Sequence, residues 1–134
     1  MGIIRITHIS LYVTDQDEAL DWYTQKLGFK LCDDVSELTP DFRWLTISPG
    51  SDSSTQIILM PVLNASDSNR VGSNPMFVLG TDDCHADYQY LEARGVNFID
   101  TPKILPWGVS AMFTDLYDNP YNLVQRKHYS DQPS

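Results

Sequence analysis

Apolar and polar residues alternate along residues 7–13, THISLYV. This period of two is typical of a half-buried β-strand, because successive side chains of a strand point to opposite faces. The isoleucine, leucine and valine would share the buried face. The opposite face would carry His8, Ser10 and Tyr12.

Residues 14–29, TDQDEALDWYTQKLGF, have the pattern of a capped amphipathic helix. Thr14 or Asp15 can cap the N terminus, and apolar side chains then recur at three- and four-residue spacing. Gly28 stands where a left-handed residue ends many helices. A strand is predicted to follow over residues 29–35.

Two more strands are predicted in FRWLTIS, residues 42–48, and TQIILMP, residues 55–61. The turn-rich segment 49–54 would join them. Residues 62–73, VLNASDSNRVGS, are polar and contain Gly, Ser and Asn, which favours a linker.

The pattern then repeats. A shift of 67 residues superimposes five identical residues, including the pairs Thr14/Thr81, Asp15/Asp82 and Gly28/Gly95. Only two copies are present, so the repeat indicates a pair of related units and excludes a solenoid.

The segments GVSAMFTD and YNLVQRK echo the third and fourth strands of the first copy. We therefore predict an α+β fold made of two tandem βαβββ units. The predicted boundaries are residues 5–61 and 74–126 for the units, 62–73 for the linker and 127–134 for a loose tail.

Length and charge restrict the function classes. A chain of 134 residues is typical of one compact domain. Its formal net charge is −9, with nine Lys and Arg residues in all. Because nucleic acids and anionic membranes are bound through clustered basic residues, we predict neither as a partner. The acidic surface would attract cationic small molecules at low salt.

The two cysteines, Cys32 and Cys84, have no metal-type spacing and are predicted to be free thiols in a reducing cytoplasm. The start MGIIRITH lacks a signal-peptide core, and no apolar run approaches the roughly 20 residues of a membrane span. These features predict a cytoplasmic protein.

Two motifs carry a family resemblance: THISLYVTDQDEALDWYTQKLGF in the first unit and MFTDLYDNPYNLVQ near the end. Together with the tandem βαβββ units they resemble the vicinal oxygen chelate superfamily. That group includes glyoxalase I, the bleomycin-resistance proteins and extradiol dioxygenases. The resemblance covers about residues 6–125. It implies curled mixed sheets around a cavity, closed within one chain or across a homodimer.

Enzymes of that superfamily hold a divalent metal with side chains from the first and last strands of each unit. In this sequence the corresponding positions carry His8, Ile58, Pro75 and Asn122. Catalytic zinc normally has three protein ligands, and related iron sites use two histidines and a carboxylate. One imidazole and one amide do not supply that donor set. We therefore predict no metal or other cofactor.

Strand alternation, extended by the resemblance, predicts which side chains line the cavity. They combine aromatic planes with a methionine and a few polar groups, a composition typical of sites for flat small molecules. The predicted cavity residues are His8, Ser10, Tyr12, Trp44, Gln56, Ile58, Met60, Phe77, Trp107, Tyr117 and Asn122.

Four functions fit these features. The favoured one is a metal-free protein that binds or sequesters a drug or metabolite. The second is a metal-dependent lyase of the glyoxalase I type or a dioxygenase, for which Asn122 replaces the expected carboxylate. The third is a metal-free enzyme with His8 as catalytic general base. The fourth is a domain that serves interactions alone.

Overall fold

A computed structural model describes residues 2–50 and 55–127 of the chain. Residues 51–54 of the predicted turn and residues 128–134 of the predicted tail lie outside the described residues. The contacts divide the chain into two units, Met1–Ser73 and Asn74–Ser134.

The first unit contains one four-stranded sheet with the order β1-β4-β3-β2. Strands β1 and β4 are parallel, and the other neighbours are antiparallel. A one-turn helix, α2, lies within the predicted linker. The elements are β1 (His8–Val13), α1 (Gln16–Lys26), β2 (Lys30–Thr39), β3 (Phe42–Ser48), β4 (Gln56–Pro61) and α2 (Ala65–Ser68).

The second unit repeats this topology, with the order β5-β8-β7-β6 and a parallel pair of β5 and β8. The prediction of an α+β fold with two tandem βαβββ units is confirmed. No helix among the described residues is long and apolar enough to cross a membrane. The elements are β5 (Phe77–Gly80), α3 (Cys84–Ala93), β6 (Asn97–Leu105), β7 (Gly108–Thr114) and β8 (Pro120–Arg126).

Both long helices begin at an aspartate. The side chain of Asp15 accepts a hydrogen bond from the backbone N–H of Glu18 at 3.0 Å, and Asp83 accepts one from Ala86 at 3.0 Å. Each bond satisfies a backbone donor that the helix itself leaves unpaired. Gly28, at φ 71°, lies just beyond the end of α1 in the left-handed conformation.

The helix caps correct the predicted repeat spacing. Asp83, and not Asp82, caps α3, so the caps are 68 residues apart, whereas Gly28 and Gly95 remain 67 apart. Helix α3 is one residue shorter than α1, which absorbs the difference. By the spacing of the caps, His8 corresponds to Met76 and not to Pro75.

In the first unit, α1 packs on one face of the sheet. Ala19 and Tyr23 of the helix are fully buried, as are Leu11, Leu45 and Leu59 of the strands. Burial of this apolar layer is the main stabilising contribution of the unit. The opposite face of this sheet is called the helix-distal face below.

In the second unit, a chain of aromatic rings lies between the sheet and α3. Tyr88 of α3 meets Phe98 at 4.8 Å between ring centroids, and Phe98 meets Phe113 at 5.4 Å. Tyr121 stacks on Phe113 at 5.2 Å, and Phe77 meets Tyr121 at 5.8 Å. Phe77 therefore lies on the helix-side face. This corrects its predicted position beside Asn122, because the cap spacing shifts β5 by one residue and a shift of one reverses the face.

Candidate functional site

The helix-distal face of the first unit gathers most of the predicted cavity residues. Strands β1 and β4 are in parallel register, so successive pairs of these side chains lie next to each other. Trp44 of β3 adds an aromatic ring to the same face. The residues brought together are His8, Ser10, Tyr12, Trp44, Gln56, Ile58 and Met60.

The rings of His8 and Trp44 are in contact on this face. Their ring centroids are 5.3 Å apart and their planes are inclined by 59°. The Nδ1 atom of His8 lies 2.9 Å from the Oγ1 atom of Thr7. Its Nε2 atom is buried and has no hydrogen-bond partner among the described residues. A buried polar atom without a partner is costly, so this nitrogen is a candidate hydrogen-bonding atom for a ligand.

A hydrogen-bond chain fixes the polar groups beside the histidine. The backbone N–H of Asp33 donates to Thr46 Oγ1 at 3.1 Å, and this hydroxyl donates to Gln56 Oε1 at 2.8 Å. The indole N–H of Trp44 donates to Asp33 Oδ2 at 3.4 Å. Trp44 and Gln56 are thereby held by neighbours in the sheet, which is the preorganisation that a binding site requires.

At the other end of the same face, Arg70 lies over the ring of Tyr12. The guanidinium carbon is 5.7 Å from the ring centroid, a cation–π distance. Arg70 follows α2 and belongs to the predicted linker. The linker therefore contributes a positive charge to this face.

The second unit offers its own polar group. The side-chain amide of Asn122 donates to Ser110 Oγ at 2.8 Å and to the carbonyl of Ala111 at 2.9 Å. Val78 is its register partner on β5. A pocket of about 280 Å³ lies along β5 and β8. Its volume is close to the lower end of the range typical of ligand sites. Its lining residues are Val78, Gly80, Thr81, Asp82, Val124, Gln125 and Arg126.

Two predicted residues lie in turns of the second unit. Trp107 is in the β6–β7 turn, with 39% of its surface exposed. Tyr117 is in the β7–β8 turn, and its backbone N–H donates to Asp115 Oδ1 at 2.8 Å.

The donor set does not fit the divalent metal of the superfamily's enzymes. Among the described residues, no three His, Cys, Asp or Glu side chains come together as a metal site. Ile58 has no donor atom, and Asn122 offers a neutral amide oxygen instead of the His, Cys or carboxylate ligands that zinc prefers. By the spacing of the caps, the remaining ligand position is Met76 and not Pro75. Its only donor is a soft thioether.

Cys84 does not supply an activated nucleophile. Cys84 is buried, and its thiol donates to the carbonyl of Leu123 at 3.7 Å. Burial raises the pKa of the Cys84 thiol, which keeps it protonated and unreactive. Cys32 is an exposed free thiol on β2.

The sequence-based list omitted four residues that shape the first-unit face: Thr7, Asp33, Thr46 and Arg70. Thr46 had a detectable signal, because it alternates with Trp44 on β3. Thr7 contacts the neighbouring His8, Asp33 acts through its backbone N–H, and Arg70 lies in a loop. Hydrophobic periodicity carries no information about such contacts.

A protein-family model matches most of the chain. Residues 5–124 match the model of the Glyoxalase/Bleomycin resistance protein/Dioxygenase superfamily. An uncharacterized protein from Shewanella frigidimarina is 35% identical over 124 residues, covering 90% of this chain and 92% of that protein.

Solved structures that are similar over nearly the whole chain include the following two. TnmS3, an antibiotic binding protein from Streptomyces sp. CB03234, is 35% identical with a TM-score of 0.81, covering 95% of this chain and 99% of that one. A superfamily member from Sphaerobacter thermophilus is 28% identical, also with a TM-score of 0.81, and covers 94% and 100%.

Proposed function

The chain belongs to the Glyoxalase/Bleomycin resistance protein/Dioxygenase superfamily, and from this membership we propose that it binds and sequesters a small planar molecule without a metal ion. The ligand is a drug or metabolite that lies on the helix-distal face of the first unit. Trp44 provides the flat apolar surface, and His8 provides the polar contact.

The observation that carries this proposal is the buried Nε2 atom of His8, which has no partner among the described residues and lies beside the ring of Trp44. An aromatic plane next to an unsatisfied polar atom is the combination that orients flat, partly polar ligands. The network through Thr46 and Gln56 holds the neighbouring polar group in place.

The similarity to TnmS3 supports the same function. That protein is described as antibiotic binding, and it is 35% identical to this chain over almost its full length. We extend binding of a small molecule, and no particular antibiotic, to this chain.

The enzymatic alternatives have weaker support. A lyase or dioxygenase of the glyoxalase type needs a metal site, and the donors described above do not form one. A general base at His8 needs a group that orients and stabilises the charged ring. The described hydrogen-bond partner of His8 is the neutral hydroxyl of Thr7.

We also propose that the protein works as a cytoplasmic homodimer. Each four-stranded sheet has two edge strands, β1 and β2 in one and β5 and β6 in the other. Such edges favour pairing with another chain. Ile3, Ile4 and Ile6 are exposed before β1 and add apolar surface. Light scattering of the purified protein would give a mass twice that of the chain.

The binding proposal is tested with a panel of planar aromatic compounds, both neutral and cationic. Tryptophan fluorescence identifies the compounds that bind, and equilibrium dialysis then gives their dissociation constants. We expect saturable binding in the micromolar range or tighter for at least one compound. Trp44→Leu should weaken it roughly tenfold, because the stacking surface is lost.

The control is Trp22→Leu, the same substitution on α1, where the indole packs edge-on against Tyr23 at 5.1 Å. This variant should bind as the wild type does. Unchanged fluorescence with every compound would contradict the proposed function. Equal affinity of Trp44→Leu and wild type would contradict the proposed position of the ligand.

A further inference from the structure

We propose that His8 and Gln56 act as two hydrogen-bond donors that hold one carbonyl oxygen of a planar conjugated ligand. This inference rests on the proposed function and names the ligand's chemical class: flat aromatic ketones, quinones and lactams. The pair of residues is called the donor clamp below.

The hydroxyl of Thr46 orients the side-chain amide of Gln56. Thr46 Oγ1 already accepts from the backbone N–H of Asp33, so its own proton is available for Gln56 Oε1. The amide oxygen is thereby turned toward β3. The –NH₂ group of Gln56 is left without a hydrogen-bond partner among the described residues, and it is a donor only.

The tautomer of His8 depends on its contact with Thr7. Thr7 Oγ1 lies 2.9 Å from Nδ1 of the ring. When the hydroxyl of Thr7 donates to Nδ1, the neutral imidazole carries its proton on Nε2. That nitrogen is buried and has no partner within the described residues, so the second donor is also unused.

The register of β1 and β4 places His8 and Gln56 next to each other. His8 and Gln56 are partners in the parallel pair of β1 and β4, so their side chains leave the sheet side by side on one face. Neighbouring strands are about 4.8 Å apart. An oxygen about 2.9 Å from each of two donors bridges roughly that separation. One acceptor with two lone pairs is therefore enough for two donors that are separated by about the strand spacing.

The chemistry of the ligand follows. A carbonyl oxygen accepts two hydrogen bonds, whereas an ammonium or hydrocarbon edge offers the donors nothing. Conjugation keeps the carbonyl in the plane of the ring system. The flat rings can then lie along Trp44, whose centroid is 5.3 Å from that of His8.

The experiment compares 9-fluorenone with fluorene, which are planar tricyclic molecules that differ in one carbonyl group. Equilibrium dialysis gives both dissociation constants for wild type, His8→Phe, Gln56→Met and the double variant. These substitutions keep size and remove the donors. The preference for fluorenone over fluorene should fall about tenfold in the double variant and less in each single one.

Two matched controls lie on exposed positions of α3: His85→Phe and Gln89→Met. Both should keep the wild-type preference. Fluorene affinity reports on the fold of each variant, since fluorene does not use the clamp. If the double variant also loses fluorene binding, the preference for fluorenone over fluorene is compared between the wild type and each single variant instead.

The possible failures are distinguishable. If the wild type binds no compound of the planar panel, these two included, the proposed function fails and the donor clamp fails with it. If it binds other planar compounds but neither of these two, the clamp alone is overturned. If both compounds bind and the preference is the same in wild type and His8→Phe/Gln56→Met, the clamp alone is overturned and planar binding stands.

Discussion

Asp115 is a buried carboxylate that orders the β7–β8 turn of the second unit. Its oxygens accept from the backbone N–H of Tyr117 at 2.8 Å, the backbone N–H of Asn119 at 2.9 Å and the side-chain amide of Asn119 at 2.9 Å. Asn119 in turn accepts from the backbone N–H of Asn74. These bonds compensate the desolvation of the charge.

Asp115→Asn should lower the free energy of unfolding by about 2 kcal/mol, because one acceptor becomes a donor that faces the amide of Asn119. Urea denaturation measures the change. Asp118→Asn is the matched control: Asp118 is exposed with φ 68°, a conformation that asparagine tolerates. A loss as large in the control as in Asp115→Asn would show that the buried bonds are unimportant.

At the scale of elements, Arg43 connects a helix and two strands. From β3 it donates to Asp34 on β2 at 2.8 Å and to Asp17 on α1 at 2.8 Å. Hydrogen bonding from Arg43 lowers the pKa of Asp34 below its usual value. The ion pair therefore stabilises the fold above the ordinary pKa of an aspartate, and this contribution is lost as pH falls through the lowered pKa.

The difference in unfolding free energy between wild type and Asp34→Asn should be constant from about pH 5 to pH 7 and shrink below about pH 4. Denaturation at a series of pH values measures it. Asp17→Asn should show a smaller difference, because 82% of the Asp17 side chain is exposed. A difference independent of pH would contradict the role of the Arg43–Asp34 pair.

The first residue of β7, which lies beside the end of β8, must be a glycine. Gly108 has φ 154°, and a Cβ atom there would lie 2.1 Å from the carbonyl oxygen of Gln125. Gly108→Ala should therefore lower the free energy of unfolding by at least about 2 kcal/mol. Gly80→Ala, where nothing lies within 4 Å, should change it by less than about 0.5 kcal/mol. Equal effects of the two substitutions in thermal denaturation would contradict this explanation.

Periodicity predicted the elements well and their exact offset poorly. Alternation located β1, β3 and β4, and the repeated aspartates and glycines revealed two units. The alignment of the two units by a constant shift of 67 residues, however, did not allow for the shorter α3. It therefore placed Phe77 on the wrong face of its sheet. The contact of His8 with Trp44 joins residues 36 positions apart on β1 and β3, which pair with β4 and not with each other. Local patterns do not encode such contacts.

At the scale of the whole molecule, the net charge of −9 acts on every approaching ligand. Its range depends on salt, because the screening length falls from about 30 Å at 0.01 M to about 10 Å at 0.1 M. The charge changes the encounter with a cation more than it changes contacts inside the site.

N-methylacridinium and acridine, compared at pH 8, are nearly equal in shape and differ in charge. Added salt between these two concentrations should weaken binding of the cation several-fold and leave the neutral compound nearly unchanged. Titration in each buffer measures both dissociation constants. Equal salt dependence of the two compounds would contradict a role for the acidic surface.

Binding by metal-free protein tests the central claim most directly. The protein is dialysed against a chelator, elemental analysis verifies that divalent metals are removed, and the dissociation constant of the best planar compound is measured before and after zinc is returned. We predict the same dissociation constant in both samples and weaker binding by Trp44→Leu in both. Binding that appears only when a stoichiometric metal is restored would contradict the claim.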